Sequence, residues 1–185
     1  DPLDLLMTIR ITNAGPDPDT LHVLPTAWYR NSWAWDVGAV RPELRGDGSR
    51  ITTEHPFLGR LEIVGDAAPD GGAPRLLFCD NETNAARLFG SDASPVYPKD
   101  GINDHVVAGA ATVNPEARGT KASFWYRVTV APGETVELRL RMRPSGATTS
   151  AWSDFDRVVE ERKGEADAFY ADLTPSGTSA DEANV

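Results

Sequence analysis

The stretch ASFWYRVTVAPGETVELRLRM, Ala122 to Met142, decides the fold class. Ala122, Phe124, Tyr126, Val128 and Val130 recur at every second position, the spacing that puts side chains on one face of a β-strand. Ala131-Pro132-Gly133-Glu134 follows, a run of turn-forming residues. Val136, Leu138, Leu140 and Met142 then alternate with Glu137, Arg139 and Arg141, so a second strand presents one apolar and one charged face. The two strands read as a hairpin.

Working towards the N-terminus, Arg75 to Asp80 and Phe57 to Val64 read as short strands, separated by the glycine-rich loop Asp66 to Pro74. Leu5, Met7, Ile9 and Ile11 alternate with Leu6, Thr8, Arg10 and Thr12, another half-buried strand. The turn formers Asn13 to Asp19 lead into a further strand, roughly Thr20 to Tyr29, and this pair also reads as a hairpin. Asn81 to Asn114 reads as mostly irregular, with a tight turn at Gly101; a loop of that length inside a compact domain usually serves function or packs on something.

Towards the C-terminus the period changes. Phe155, Val158, Val159, Arg162, Ala166, Phe169, Tyr170 and Leu173 recur at three and four residues, which predicts an amphipathic helix over 151–175. Ser153 and Asp156 resemble a capping box with Asp in place of Glu. Gly164 should weaken the helix by about 1 kcal/mol relative to Ala. A polar tail, 176–185, follows.

Strands followed by one helix, with no βαβ alternation and no internal repeat, give an all-β class. The expected architecture is an antiparallel β-sandwich over 1–150 with a C-terminal linker helix. The chain opens at Asp1 rather than at a methionine and enters a strand pattern at once, so it reads as a segment of a longer protein.

With 28 acidic and 18 basic residues the net charge is −10. Such a surface repels a phosphate backbone and an anionic membrane, so neither nucleic acid nor a membrane is expected as a partner. The single cysteine, Cys79, allows no internal disulfide and no cysteine-based zinc site; its place in Leu76-Leu77-Phe78-Cys79 predicts a buried structural thiol. No P-loop, dinucleotide fingerprint, His-Glu-x-x-His or Gly-x-Ser-x-Gly pattern occurs, and His22, His55 and His105 are too dispersed to argue a triad. No cofactor, no metal and no catalytic residue are expected within the chain.

Three clusters are candidates for binding. Trp28-Tyr29-Arg30-Asn31-Ser32-Trp33-Ala34-Trp35 is dense in aromatic rings, which stack on the apolar faces of sugars or fill a core; Trp28, Trp33 and Trp35 are its candidates. Asp80-Asn81-Glu82-Thr83-Asn84 gathers carboxylates and amides, with Asn81, Glu82 and Asn84 suited to sugar hydroxyls, to calcium, or to bracing a loop. Asn81-Glu82-Thr83 also matches a glycosylation sequon. Lys99-Asp100-Gly101-Ile102-Asn103-Asp104-His105 offers Asp100, Asn103 and Asp104, in a spacing that does not fit an EF-hand.

The strings LHVLPTAWYRNSWAW (Leu21 to Trp35), DNETNAARLFG (Asp80 to Gly90), KDGINDHVV (Lys99 to Val107) and VNPEARGTKASFWY (Val113 to Tyr126) resemble bacterial glucosidase-like proteins related to glycoside hydrolase family 63, the mannosyl-oligosaccharide glucosidases. The helical string FDRVVEERKGEADAFYADLTP resembles the segment joining their two domains. The resemblance implies a β-sandwich of the galactose-mutarotase-like super-sandwich type, packed on an (α/α)6 barrel of the same parent protein. That barrel acts on an oligosaccharide, hydrolysing an α-glucosidic bond with inversion through two carboxylates. The barrel would follow residue 185, so the resemblance places no catalytic residue in this chain. The loops at Asp80 to Asn84 and Lys99 to Asp104 look like features of that family, and their polarity, loop setting and length lead to the expectation that they face the barrel and help shape its mouth.

Overall fold

The computed structural model describes residues 3–36 and 38–183. Asp1, Pro2, Val37, Asn184 and Val185 lie outside the described residues, and so do the last two positions of the expected polar tail. The chain divides into two compact units, residues 1–147 and residues 148–185.

The first unit is built on two antiparallel sheets. One has six strands in the order β1 (Leu5–Thr12), β10 (Thr135–Pro144), β6 (Gly59–Gly65), β5 (Arg50–His55), β4 (Leu44–Asp47) and β8 (Arg118–Gly119). The other is centred on β9 (Lys121–Val130), flanked by β2 (Asp19–Val23) and β3 (Thr26–Trp28) along one edge and β7 (Arg75–Cys79) along the other.

The alternation read from the sequence holds: Ala122, Phe124, Tyr126, Val128 and Val130 are all buried, together with Leu138 and Leu140 of β10. They share one core with Leu44, Ile51 and Phe78, so both sheets contribute to it. The Tyr126 hydroxyl donates to the Asp66 carbonyl at 3.0 Å, which satisfies its one polar group inside that core.

The expected hairpins are corrected. β9 does not pair with β10; it pairs with β2, β3 and β7, while β10 lies between β1 and β6. Likewise β1 pairs with β10 and not with β2. Each reversal therefore carries the chain from one sheet to the other. Alternation fixes which face of a strand is buried but says nothing about which neighbour takes its hydrogen bonds.

The expected strand from Thr20 to Tyr29 appears as two, β2 and β3, interrupted at Leu24 and Pro25. The interruption is a matter of one missing donor. Asp19 opposes Val130, Val23 opposes Tyr126 and Trp28 opposes Lys121 in one unbroken register. Phe124 N donates to the Pro25 carbonyl at 3.0 Å, and Tyr29 N donates to Thr120 O at 3.0 Å. Proline has no N–H to give, which an edge strand tolerates.

The β4–β5 pair went unread in the sequence, and the strand expected over Phe57 to Val64 runs over Gly59–Gly65, with Phe57 outside it and exposed. The stretch expected to be irregular, Asn81 to Asn114, contains α1 (Ala85–Phe89) and α2 (Gly101–Ala108). Gly101 opens α2 instead of forming an isolated turn, and a Cβ there would collide with the Thr112 carbonyl oxygen. Leu77 and Cys79 of β7 pack with Ile102 of α2 in a second small core. Cys79 is fully buried, and burial pushes its thiol up to about 11.

In the second unit α3 spans Phe155–Leu173 and a short α4 spans Ala180–Ala183. The helix starts one residue later than the Ser153–Asp156 spacing predicts. Asp154 is the N-cap and its side chain makes no capping bond, while Ser153 Oγ donates to Ser150 O at 3.2 Å. Along α3 the apolar side chains of Phe169, Tyr170 and Leu173 are exposed.

Candidate functional site

The two polar loops meet. Asn84 caps α1, its Oδ1 accepting from Arg87 N at 3.1 Å, and its Nδ2 donates to Asp100 Oδ2 at 3.1 Å. One turn into α1, Arg87 Nη1 donates to Asp100 Oδ2 and to Asp104 Oδ2, both at 3.2 Å. Asn103 is exposed, and its Nδ2 donates to Asp104 Oδ1 at 3.2 Å. Asn84, Asp100, Asn103 and Asp104, chosen from separate stretches of sequence, thus form one network centred on Arg87. The two aspartates share one guanidinium, an arrangement that holds loops together and presents acceptors to a neighbouring surface.

Glu82 belongs to a second group. Its Oε1 accepts from Arg41 Nη2 at 3.0 Å and from Trp33 Nε1 at 3.3 Å, and Arg41 Nη2 also reaches Asp80 Oδ1 at 2.6 Å. The Arg41 guanidinium stands 6.0 Å from the centre of the Trp33 ring. Arg41, Asp80 and Glu82 of this group line a cleft of about 840 Å3. Arg118 also lines it and pairs with Glu116 at 2.5 Å and Glu43 at 3.6 Å; those carboxylates hold its guanidinium still more firmly charged. Thr120, Tyr97 and Val96 complete the lining. A cleft of that size with alternating guanidinium and carboxylate edges suits a polyhydroxylated ligand.

Asn81 braces the loop. Its backbone N donates to Thr120 Oγ1 at 2.7 Å and its Nδ2 donates to Tyr29 O at 2.8 Å, so the sequon amide is already engaged within the fold.

The three tryptophans go to three places. Trp33 joins Glu82 and Arg41. Trp35 is 65% exposed with the Arg30 guanidinium 4.9 Å from its ring centre. Trp28, at the end of β3, lines an apolar groove with Leu5, Met7, Phe124 and Met142. They do not make one stacking platform. Arg41, Arg87 and Arg118, which organise both groups, were not singled out in the sequence. The spacing of Asn84 to Arg87, one helical turn, is the signal that could have found Arg87.

Among the described residues no group of three or more His, Cys, Asp or Glu side chains is arranged to hold a metal ion. No helix among them is long and apolar enough to cross a membrane.

No family model matches the chain. The whole of it aligns with a protein of Saccharomyces cerevisiae, "Uncharacterized protein YMR196W", at 30% identity over 219 aligned positions. The chain spans 20% of that relative's length, so it corresponds to about one fifth of a much larger polypeptide there.

Proposed function

We propose that this chain is the non-catalytic β-sandwich segment of a larger glycoside hydrolase of the α-glucosidase type, related to family 63, and that its loop layer packs on the (α/α)6 catalytic barrel and helps shape the mouth of the active site. On this reading the two sheets form a sandwich of the galactose-mutarotase-like super-sandwich type.

The observation that carries the proposal is the surface of α1 and α2. Around the Arg87 network, Leu88, Phe89 and Val107 are 61%, 76% and 78% exposed. Val107 lies three residues beyond Asp104, on the side of α2 that Arg87 reaches. Large apolar side chains around a polar network, in which Asp100 Oδ1 is buried without a partner, have the make-up of an interface core and its polar contacts. The exposed apolar residues of α3 and the alignment with one fifth of a longer relative support the same reading.

A second reading, in which the chain itself holds a saccharide, draws on Arg41 and Glu82 in the cleft, the latter held by Trp33. One set of measurements separates them. The longer polypeptide that carries this chain should release sugar from α-gluco-oligosaccharides with inversion, and Asn84→Ala or Asp104→Ala within it should lower kcat/KM. The 185-residue chain should bind none of these sugars. A longer polypeptide without glycosidase activity, or variants with unchanged kinetics and stability, would overturn the proposal. Saturable binding by the chain alone would favour the second reading.

A further inference from the structure

On the outer face of the second sheet, four side chains stand in one row. His22 of β2 opposes Arg127 of β9, and Arg75 of β7 opposes Trp125 of β9. Cross-strand partners and next-but-one neighbours point to the same side, so all four share the face opposite the core residues Phe124, Tyr126 and Val128. Beside them opens a cleft of about 520 Å3, which Val106 of α2 and the Asp70 loop also line.

The row is tied together. Trp125 Nε1 donates to His22 Nδ1 at 2.8 Å, and the two rings stack with centres 5.6 Å apart. With Nδ1 accepting, the proton of the neutral imidazole sits on Nε2, which remains a donor. The Arg75 guanidinium stands 4.8 Å from the centre of the Trp125 ring, so the ring fixes its position while leaving its N–H edge to other partners.

What sets this cleft apart is its charge. Most other arginines of this acidic chain are matched to carboxylates, among them Arg41 to Asp80 and Glu82, Arg87 to Asp100 and Asp104, Arg118 to Glu116, and Arg143 to Glu62. Among the described residues neither Arg75 nor Arg127 is in an ion pair. The one carboxylate lining the cleft, Asp70, turns its Oδ1 to Gly72 N at 2.9 Å. Two guanidiniums and an imidazole therefore line a concave surface that holds a single carboxylate, which leaves the cleft a net positive charge.

We infer that this cleft binds the oxyanion of a small molecule, a phosphate or a carboxylate. Arg75 and Arg127 supply the charge-assisted hydrogen bonds, and the His22–Trp125 pair forms the rigid side of the site. It uses none of the residues of the Arg87 and Arg41 groups and holds whether or not the chain belongs to a glycosidase.

The test is a 1H–15N titration of the 185-residue chain with inorganic phosphate and, separately, with citrate, at an ionic strength held constant with chloride. The Trp125 indole N–H, assigned by its loss in Trp125→Phe, reports the site. A saturable shift of that signal is expected, with the other indole signals unmoved. The double variant Arg75→Gln/Arg127→Gln should weaken binding at least tenfold while the rest of the spectrum shows it folded. The anion that saturates at lower concentration names the ligand's group. A shift that never saturates with either anion, or binding retained by the folded double variant, would overturn the inference.

Discussion

Asn13 holds the two chain reversals together by donating from Nδ2 to the carbonyl of Val130, at 2.9 Å. The same amide donates to Asp17 O at 2.7 Å, and Oδ1 accepts from Gly15 N at 2.9 Å. Its backbone joins in, with Asn13 N donating to Glu134 O at 3.0 Å and Gly133 N donating to Asn13 O at 2.8 Å. One residue between β1 and β2 thus satisfies polar groups of both its own loop and the loop between β9 and β10.

Asn13→Ala should therefore lower stability by about 1–3 kcal/mol, the cost of leaving a half-buried carbonyl without its donor. Asn13→Asp should do much the same, because it keeps the acceptor for Gly15 and loses both donations. Urea unfolding of the three proteins checks this through the midpoint, with the slope unchanged.

Glu62 and Arg143 form a buried pair, 2% and 8% exposed, joined Nε to Oε1 at 2.8 Å across the β6–β10 ladder. Glu62→Ala should cost about 3 kcal/mol, because it removes a buried carboxylate that Arg143 Nε bonds. Arg50 approaches the same glutamate at 3.5 Å but is half exposed, so Arg50→Gln should cost less than about 1 kcal/mol. Thermal or urea unfolding that gives equal losses for the two would contradict the difference in burial.

Cys79 should resist alkylation at pH 8 in the folded protein and react at once in denaturant, since burial first of all holds its thiol up near 11. The unfolded thiol ionises near about 8.5. The native state consequently keeps its proton where the unfolded chain has lost it. The associated stability is whole below about pH 8.5 and fades as pH climbs through about 11. Cys79→Ala should flatten that alkaline decline in a series of unfolding curves.

Gly164 sits exposed in the middle of α3, and a Cβ there would meet nothing within 4 Å. Gly164→Ala should stabilise the helix by about 1 kcal/mol. Circular dichroism should show a helical signal that survives to higher temperature, and a loss of helicity would contradict the expectation.

Burial was legible in the sequence where one face of a strand is apolar. The inward set of β9 was read as it stands; in β10 Leu138 and Leu140 are buried as the alternation predicts, but Arg141 and Arg143 on the charged face are buried too. Pairing was not legible: Ala131-Pro132-Gly133-Glu134 turns the chain equally well within a sheet or between sheets. β4 and β5 were missed although Asp47-Gly48-Ser49-Arg50 carried the signal. Asp47 opposes Arg50, and Gly48 has φ +58 in a two-residue turn. Their apolar residues are sparse, Leu44 and Ile51 being the buried ones, so the strands show no alternation to read. The polar loops stood out by composition, and the structure brings Asn84, Asp100 and Asp104 together. Arg87 and Arg41 did not stand out, since a lone arginine in a loop has no pattern until the carboxylates it joins are close in space.

The crossing of both reversals between the sheets has a consequence for how the chain is made. β10 is the shared neighbour of β1 and β6, and β9 is the shared neighbour of β2, β3 and β7. Until residues 121–144 have left the ribosome, β1, β2, β3 and β7 have no strand to pair with, and only β4, β5, β6 and β8 can join one another. A nascent chain halted before Pro144 cannot close the core, however long it waits. The domain gains its stability late and over long sequence separations, a topology that folds slowly and leaves the early strands in need of protection during synthesis.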